Sequence, residues 1–413
     1  MQSKKPCSAA KAVLRISLAL MLASTLVPTQ THAQTFKVLH SFTGGGDGAY
    51  PYAGLVQDAV GNLYGAAADG GDDPSCSSYY TYGCGVIFVL DRNGEERVIR
   101  RLNGANGALP LGTPTLDRSG NLYGTTNGGG FFGSGTVFIV SKAQKERFFS
   151  LLPGSEYADA GVVRDREGNL YGTTTAGGAG DGTVYKLSVS RECALDTFSA
   201  SGECVLHIFT GERDGSNPEW QLLIDADGNL YGTTVYGGPF RDSGTVFEIT
   251  RSGKFVLLYA FTGGADGGGP DGPLMQDAQG NLYGTTGGGG TFGAGTVFKL
   301  DRNGKETVIH SFNYTDGISP VGNLAMDAGR NIYGTTVGGG VGFPAAGTVF
   351  KLDAAGQETV LHNFDEGPDG GTPYTGVTRD DSGNLYGTTS IGGSGNCSDG
   401  EYFGCGVVFE ITP

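Results

Sequence analysis

Trp220 is the only tryptophan among 413 residues, and Glu212, Arg213, Asp214 and Glu219 come shortly before it. An aromatic plate beside carboxylates and a guanidinium suits two kinds of chemistry. An indole face can stack on a sugar ring while charged neighbours hydrogen-bond its hydroxyls. Two carboxylates and an arginine can also move a proton and steady developing negative charge, as a lyase or hydrolase requires. The plainer readings are a tryptophan that plugs a space and charged residues that form a solvated loop. A second aromatic set lies among glycines: Tyr79, Tyr80, Tyr82, Phe131, Phe132, Phe240, Phe292, Phe343, Tyr402 and Phe403. These rings could meet a ligand or fold back over the glycine turns.

The remaining reactive residues are less specific. His40, His207, His310 and His362 share one position of a repeated phrase, which Arg100, Ser150 and Tyr259 fill in other copies, so a structural role is expected for them. Asp47, Asp214, Asp266, Asp316 and Asp369 recur before Gly in Asp-Gly-x-x-Pro phrases, with Asn106 in the same place. A ring of such carboxylates could hold Ca²⁺, but Asp before Gly is ordinary tight-turn composition, so no cofactor is expected. Gly-x-Ser-x-Gly, His-Glu-x-x-His, Cys-x-x-Cys and Walker sequences are absent. Gly-x-Gly-x-x-Gly occurs at Gly128, Gly130 and Gly133 and at Gly288, Gly290 and Gly293, between predicted strands and not at a strand-to-helix turn, which argues against nucleotide binding.

What positions these residues is a repeat. A segment close to Asp-x-x-Gly-Asn-Leu-Tyr-Gly-Thr-Thr recurs with its Asn at 62, 121, 169, 229, 281, 331 and 384, each followed by a Gly-rich stretch and Gly-Thr-Val-Phe. One such unit predicts four short strands, over 272–276, 281–286, 296–300 and 306–312, rich in Val, Leu, Phe, Tyr and Thr and bounded by turn residues. Four antiparallel strands in about fifty residues match a propeller blade. The fold class read from this pattern is all-β, a seven-bladed β-propeller of four-stranded antiparallel blades. Residues 35–42 look like a fourth strand and 406–412 like a third, so the N-terminal strand is expected to pair into the last blade and close the ring. First strands line the channel of a propeller, which puts Trp220 near its mouth.

Residues 1–33 read as a signal peptide: Lys4, Lys5, Lys11 and Arg15 flank an apolar run from Ile16 to Val27, and cleavage is expected near Ala33. Residues 34–413 then form one domain, secreted or periplasmic. Loss of those four basic residues takes the net charge from −15 to −19, which disfavours nucleic acid and anionic membranes as partners. Six cysteines remain in three local pairs, Cys76/Cys84, Cys193/Cys204 and Cys397/Cys405, and an even count in an exported chain reads as disulfides and not as metal ligands. The first and last pairs would brace insertions beside the closure.

The Gly-Asn-Leu-Tyr-Gly-Thr-Thr and Gly-Thr-Val-Phe-Lys-Leu phrases resemble the bacterial tandem repeats called GloVer repeats, and the turn is similar to those of NHL-type and two-component-regulator propellers. The resemblance covers essentially the whole mature chain. It implies a secreted propeller and supplies no catalytic residues. The function expected is that of an exported, monomeric, non-catalytic binding module that takes a carbohydrate, or an envelope or extracellular protein, on one aromatic, acidic face, without membrane insertion. The alternative is a secreted carbohydrate-active lyase or hydrolase with its site at the channel mouth.

Overall fold

The computed structural model describes residues 34–412 apart from 77–82, 152–154, 178–179, 189–202, 241, 343–344 and 399–402. The leader, Tyr79, Tyr80, Tyr82, Cys193, Phe343 and Tyr402 therefore lie outside the described residues. The chain is an all-β ring of seven four-stranded antiparallel blades, with no helix among the described residues. Six blades are continuous in sequence. The seventh takes Thr378–Arg379, Leu385–Thr389 and Val407–Thr412 from the C-terminal end and Thr35–Ser41 from the N-terminal end. The closing register runs from Thr35 opposite Thr412 to Ser41 opposite Val407, so the expected closure is present.

The repeated phrase works as a hydrogen-bond staple. In blade 5, one oxygen of Asp277 accepts from the N–H groups of Gln279 and Asn281, both at 2.9 Å. The other oxygen accepts from the Asn281 side-chain amide at 2.8 Å and the Tyr283 hydroxyl at 3.0 Å. All seven turns repeat the carboxylate, amide and phenol set. Burial pushes the Asp277 carboxyl up, but the four donors outweigh it and hold the group below its usual range.

Packing explains the rest of the phrase. The Gly after Tyr lies against the third-strand Phe: a Cβ added at Gly284 would come within 2.7 Å of the Phe298 ring. The Phe that ends a fourth strand then packs edge-on against the third-strand Phe of the next blade, as in Phe42 with Phe88 at 5.2 Å, Phe261 with Phe298 at 5.0 Å and Phe364 with Phe409. These rings are fully buried, and burial of large aromatic rings at the seams stabilises the join between blades.

First strands vary in length, from two residues in most blades to Ile318–Met326 in blade 6. In blade 5 two pieces, Gly268–Pro270 and Met275–Gln276, pair with the second strand in place of the expected 272–276, and Pro273, which has no N–H to donate, lies in the gap. The third strand, Thr296–Leu300, has the expected bounds.

Candidate functional site

The ends of the first strands meet at the axis, and one repeat position recurs there in every blade, Tyr52, Leu111, Asp159, Glu219, Asp271, Val321 and Tyr374, of which Tyr52, Leu111, Asp159, Glu219 and Tyr374 line the mouth. Three consecutive blades supply acids and the others supply aromatic or aliphatic groups. Each next residue is small, Ala53, Gly112, Ala160, Gly272, Gly322 or Thr375, except in blade 4, where it is Trp220. The scaffold sets these positions through the first threonine of Gly-Thr-Thr, which bonds to the neighbouring blade's strand: Thr125 to the Ala160 carbonyl at 2.7 Å, Thr173 to the Trp220 carbonyl at 3.5 Å and Thr388 to the Ala53 carbonyl at 3.2 Å.

The mouth is nearly closed. Gln221, beside Trp220, reaches its amide nitrogen to within 3.0 Å of the Val162 carbonyl, 3.1 Å of the Thr115 hydroxyl and 3.3 Å of the Thr113 carbonyl, so it ties blade 4 to blades 2 and 3. Above this tie remains a chamber of about 40 Å³ lined by Trp220, Glu219, Asp159, Asn323, Tyr52 and Tyr374 among others. That is room for one small group. Tyr52 and Tyr374 form an edge-to-face pair at 5.5 Å and are each 38% exposed, so they present a usable aromatic rim. The Trp220 indole nitrogen is buried and has no hydrogen-bond partner.

The acids behave unlike those of the turns. Burial, then the nearby charge of Glu219, pushes Asp271 up to about 7. Glu219 is raised by burial and then by Asp159. Asp159 is raised by burial despite hydrogen bonds from Asn127 and Thr175. Burial thus pushes all three toward the protonated form, Asp271 to about 7, the range in which a carboxyl can serve as donor or acceptor.

The expected site residues divide into three groups. Trp220 and Glu219 are at the mouth, whereas Glu212 and Arg213 are exposed on the linker that precedes it. Asp214 is a turn cap: it accepts from the Thr210 hydroxyl at 2.6 Å and pairs with His207 at 3.1 Å. The same pairing recurs in His40–Asp47, His310–Asp316 and His362–Asp369, and Tyr259 bonds Asp266 at 3.0 Å, so the histidines and ring aspartates join fourth strands to linkers. One alignment needs correction. Blade 2 lacks the bulge found in the other fourth strands, so Phe149 and not Ser150 stands at the histidine position, opposite Val137. Among the described residues no three His, Cys, Asp or Glu side chains converge closely enough to hold a metal ion.

Phe131, Phe132, Phe240, Phe292 and Phe403 are all exposed, Phe131 at 85%, and do not fold over their glycine turns. The structure does not bring them to Trp220. Their hairpins are tied to the ends of the fourth strands, Phe131 N–H to Ser150 at 2.9 Å and Thr291 N–H to Ser311 at 2.7 Å. The glycine triplets near 128 and 288 lie in these same hairpins. Cys76–Cys84 and Cys397–Cys405 are disulfides that pin hairpins of blades 1 and 7, and Cys204 is also disulfide-bonded.

A sequence profile of the Gloeobacter/Verrucomicrobia repeat matches residues 23–201, 149–341 and 303–413. The chain belongs to this repeat family. No curated protein matches this repeat propeller. Among solved structures it is similar to virginiamycin B lyase from Staphylococcus aureus, with 11% identity, a TM-score of 0.56 and coverage of 92% of this chain and 100% of the other. A gluconolactonase from Xanthomonas campestris matches at 12% identity and a TM-score of 0.44, covering 92% and 89%. At these identities the likeness is one of fold.

Sequence reasoning singled out Trp220 but missed Asp159 and Asp271. The signal was present: the residue before the small one is acidic in three consecutive copies and in no other.

Proposed function

We propose that this protein is an exported, non-catalytic binding propeller that takes a carbohydrate end group at the axial mouth. The observation that carries the reading is the uneven mouth, lined by the acids Asp159 and Glu219, with Asp271 near Glu219, and by the aromatic residues Tyr52, Tyr374 and Trp220. Aromatic faces suit the apolar face of a sugar, and carboxyls that both donate and accept suit its hydroxyls. The 40 Å³ chamber admits one hydroxymethyl or amino group while the ring rests outside on the tyrosines. Export is supported by the disulfides and by the leader-like composition of residues 1–33.

A glycan array probed with the mature protein tests the reading. Binding should be lost in Trp220→Ala and weakened at least tenfold in Tyr374→Ala, with Phe131→Ala unchanged. Binding that ignores Trp220→Ala and Tyr374→Ala sinks it.

Asp271 near 7 favours a second reading, in which the same acids serve a lyase or hydrolase. That reading requires release of new reducing or unsaturated ends from a bound glycan, and their loss in Asp271→Asn.

A further inference from the structure

On the opposite face, beside the Asp-x-x-Gly-Asn turns, grooves run along seams between blades. Two side chains flank each seam. One is the third-strand residue paired with the turn tyrosine, and the other is the last residue of the next blade's first strand. Five seams carry Val89 with Leu116, Ile139 with Arg164, Lys186 with Ile224, Lys299 with Met326, and Lys351 with Arg379. In most of these a cation covers the tyrosine. Lys186, Lys299 and Lys351 lie 5.6, 5.8 and 5.9 Å from the rings of Tyr171, Tyr283 and Tyr333, and Arg164 lies 5.5 Å from Tyr123.

The other two seams break the pattern together, and in the same way. They carry Glu410 with Gln57 and Glu248 with Gln276. There, among the described residues, no cation lies over the tyrosine ring, and the grooves measure about 680 Å³ between blades 7 and 1 and about 460 Å³ between blades 4 and 5, against about 310 Å³ between blades 3 and 4. The equivalent groups line both: Glu410, Tyr386, Asp380, Gln57 and Arg92 in one, and Glu248, Tyr231, Asp225, Gln276 and Arg302 in the other. The same Glu–Gln pair thus stands at two distant seams, each time in a groove with the same set of equivalent residues.

The spare hydrogen-bonding capacity of these groups defines the ligand. Asp380 and Asp225 are occupied by their own turns. Glu410 accepts from Tyr386 at 3.0 Å through one oxygen, which leaves the other. Gln57, Gln276, Arg92 and Arg302 make no side-chain hydrogen bond or ion pair among the described residues. Each groove therefore offers a carboxylate acceptor, an amide that donates and accepts, and a guanidinium donor beside an aromatic ring. An anion would meet Asp58, Asp91, Asp380, Asp381 and Glu410 in one groove and Asp225, Asp227, Glu248 and Asp301 in the other, and a cation would meet Lys37, Arg92 and Arg379 or Arg302. A neutral ligand with vicinal hydroxyls satisfies all three.

We propose that the two Glu–Gln grooves are equivalent binding sites for a neutral glycan, independent of the axial mouth. They stand three blades apart one way around the ring and four the other, so a polymer engaging both gains avidity.

Native gels cast with dextran, mannan, laminarin or galactomannan test this with the mature protein. Glu248→Lys and Glu410→Lys install the residue that three other seams already carry, so the fold should survive, and an unchanged melting temperature checks it. At least one polymer should retard the wild type. Either single substitution should weaken the apparent affinity about tenfold or more, and should lower the stoichiometry for the matching short oligosaccharide from two to one. The double variant should run as in a blank gel, and Trp220→Ala should behave as wild type. The proposal is overturned by no retardation in any gel, by a double variant retarded like the wild type, or by retardation that only Trp220→Ala removes.

Discussion

Asp271 and Asp277 stand six residues apart in the same blade and carry the same side chain, yet one is pushed up to about 7 and the other is held below its usual range. Asp277 ends at a turn where two backbone N–H groups, an amide and a phenol donate to it. Asp271 ends at the axis, buried, with Glu219 near it and no donor to its side chain. Burial acts on both. The number of donors decides which carboxyl is a structural anion and which is free for chemistry.

Opening the ring is the harshest way to break this contrast. Deleting residues 35–41 exposes the edge of Val407–Thr412 and should lower the melting temperature by ~10 °C or more, measured by circular dichroism. An unchanged melting temperature would mean that closure does not hold the blades together.

Removing one carboxylate from each environment is the next test. Asp277→Ala removes a charged acceptor of five hydrogen bonds, one of them from Arg330 at 3.3 Å, and should cost about 2–3 kcal/mol in urea unfolding. Asp271→Asn removes a buried acid without donors, so it should fall within about 0.5 kcal/mol of wild type or gain stability. Equal losses at both positions would contradict the contrast.

The pH dependence separates the two sets further. A raised acid binds its proton more tightly in the folded state, so the stability linked to Asp271 and Glu219 is present at low pH and is lost as pH rises toward and through about 7. The turn aspartates Asp58, Asp117, Asp225, Asp277 and Asp327 act in the opposite sense and lose their contribution only as pH falls below about 4. Wild-type protein should therefore be roughly 1–2 kcal/mol less stable at pH 8 than at pH 5, and Asp271→Asn with Glu219→Gln should reduce that slope, with the remainder coming from Asp69, Glu306 and Glu358, which burial raises to about 6, 7 and 7. The smallest effect belongs to the hairpin tips. Phe131→Ser should change stability by less than about 0.5 kcal/mol, because that ring already stands in water.

Much of this was legible in the chain. The spacing of Asn62 through Asn384 fixes seven units, and the strand-like ends at 35–42 and 406–412 fix the closure, because period and pattern are local properties. Trp220 was visible as a break in the pattern. Asp159 and Asp271 were overlooked because an acid before a strand reads as solvated loop until the axis buries it. Phe149 was misaligned because a missing bulge leaves no mark in the sequence.

The sequence alone determined the repeat, its turn chemistry, the strand order and the residues that depart from the pattern, since each follows from contacts within about fifty residues. Only the tertiary structure decided which departures meet. Glu219 joins Asp159 and Asp271 while Glu212 and Asp214 do not, and Glu410 faces Gln57 across a seam between chain ends. Such encounters depend on how seven blades curve into a ring, and burial by distant blades, not residue type, sets the charge each carboxyl carries.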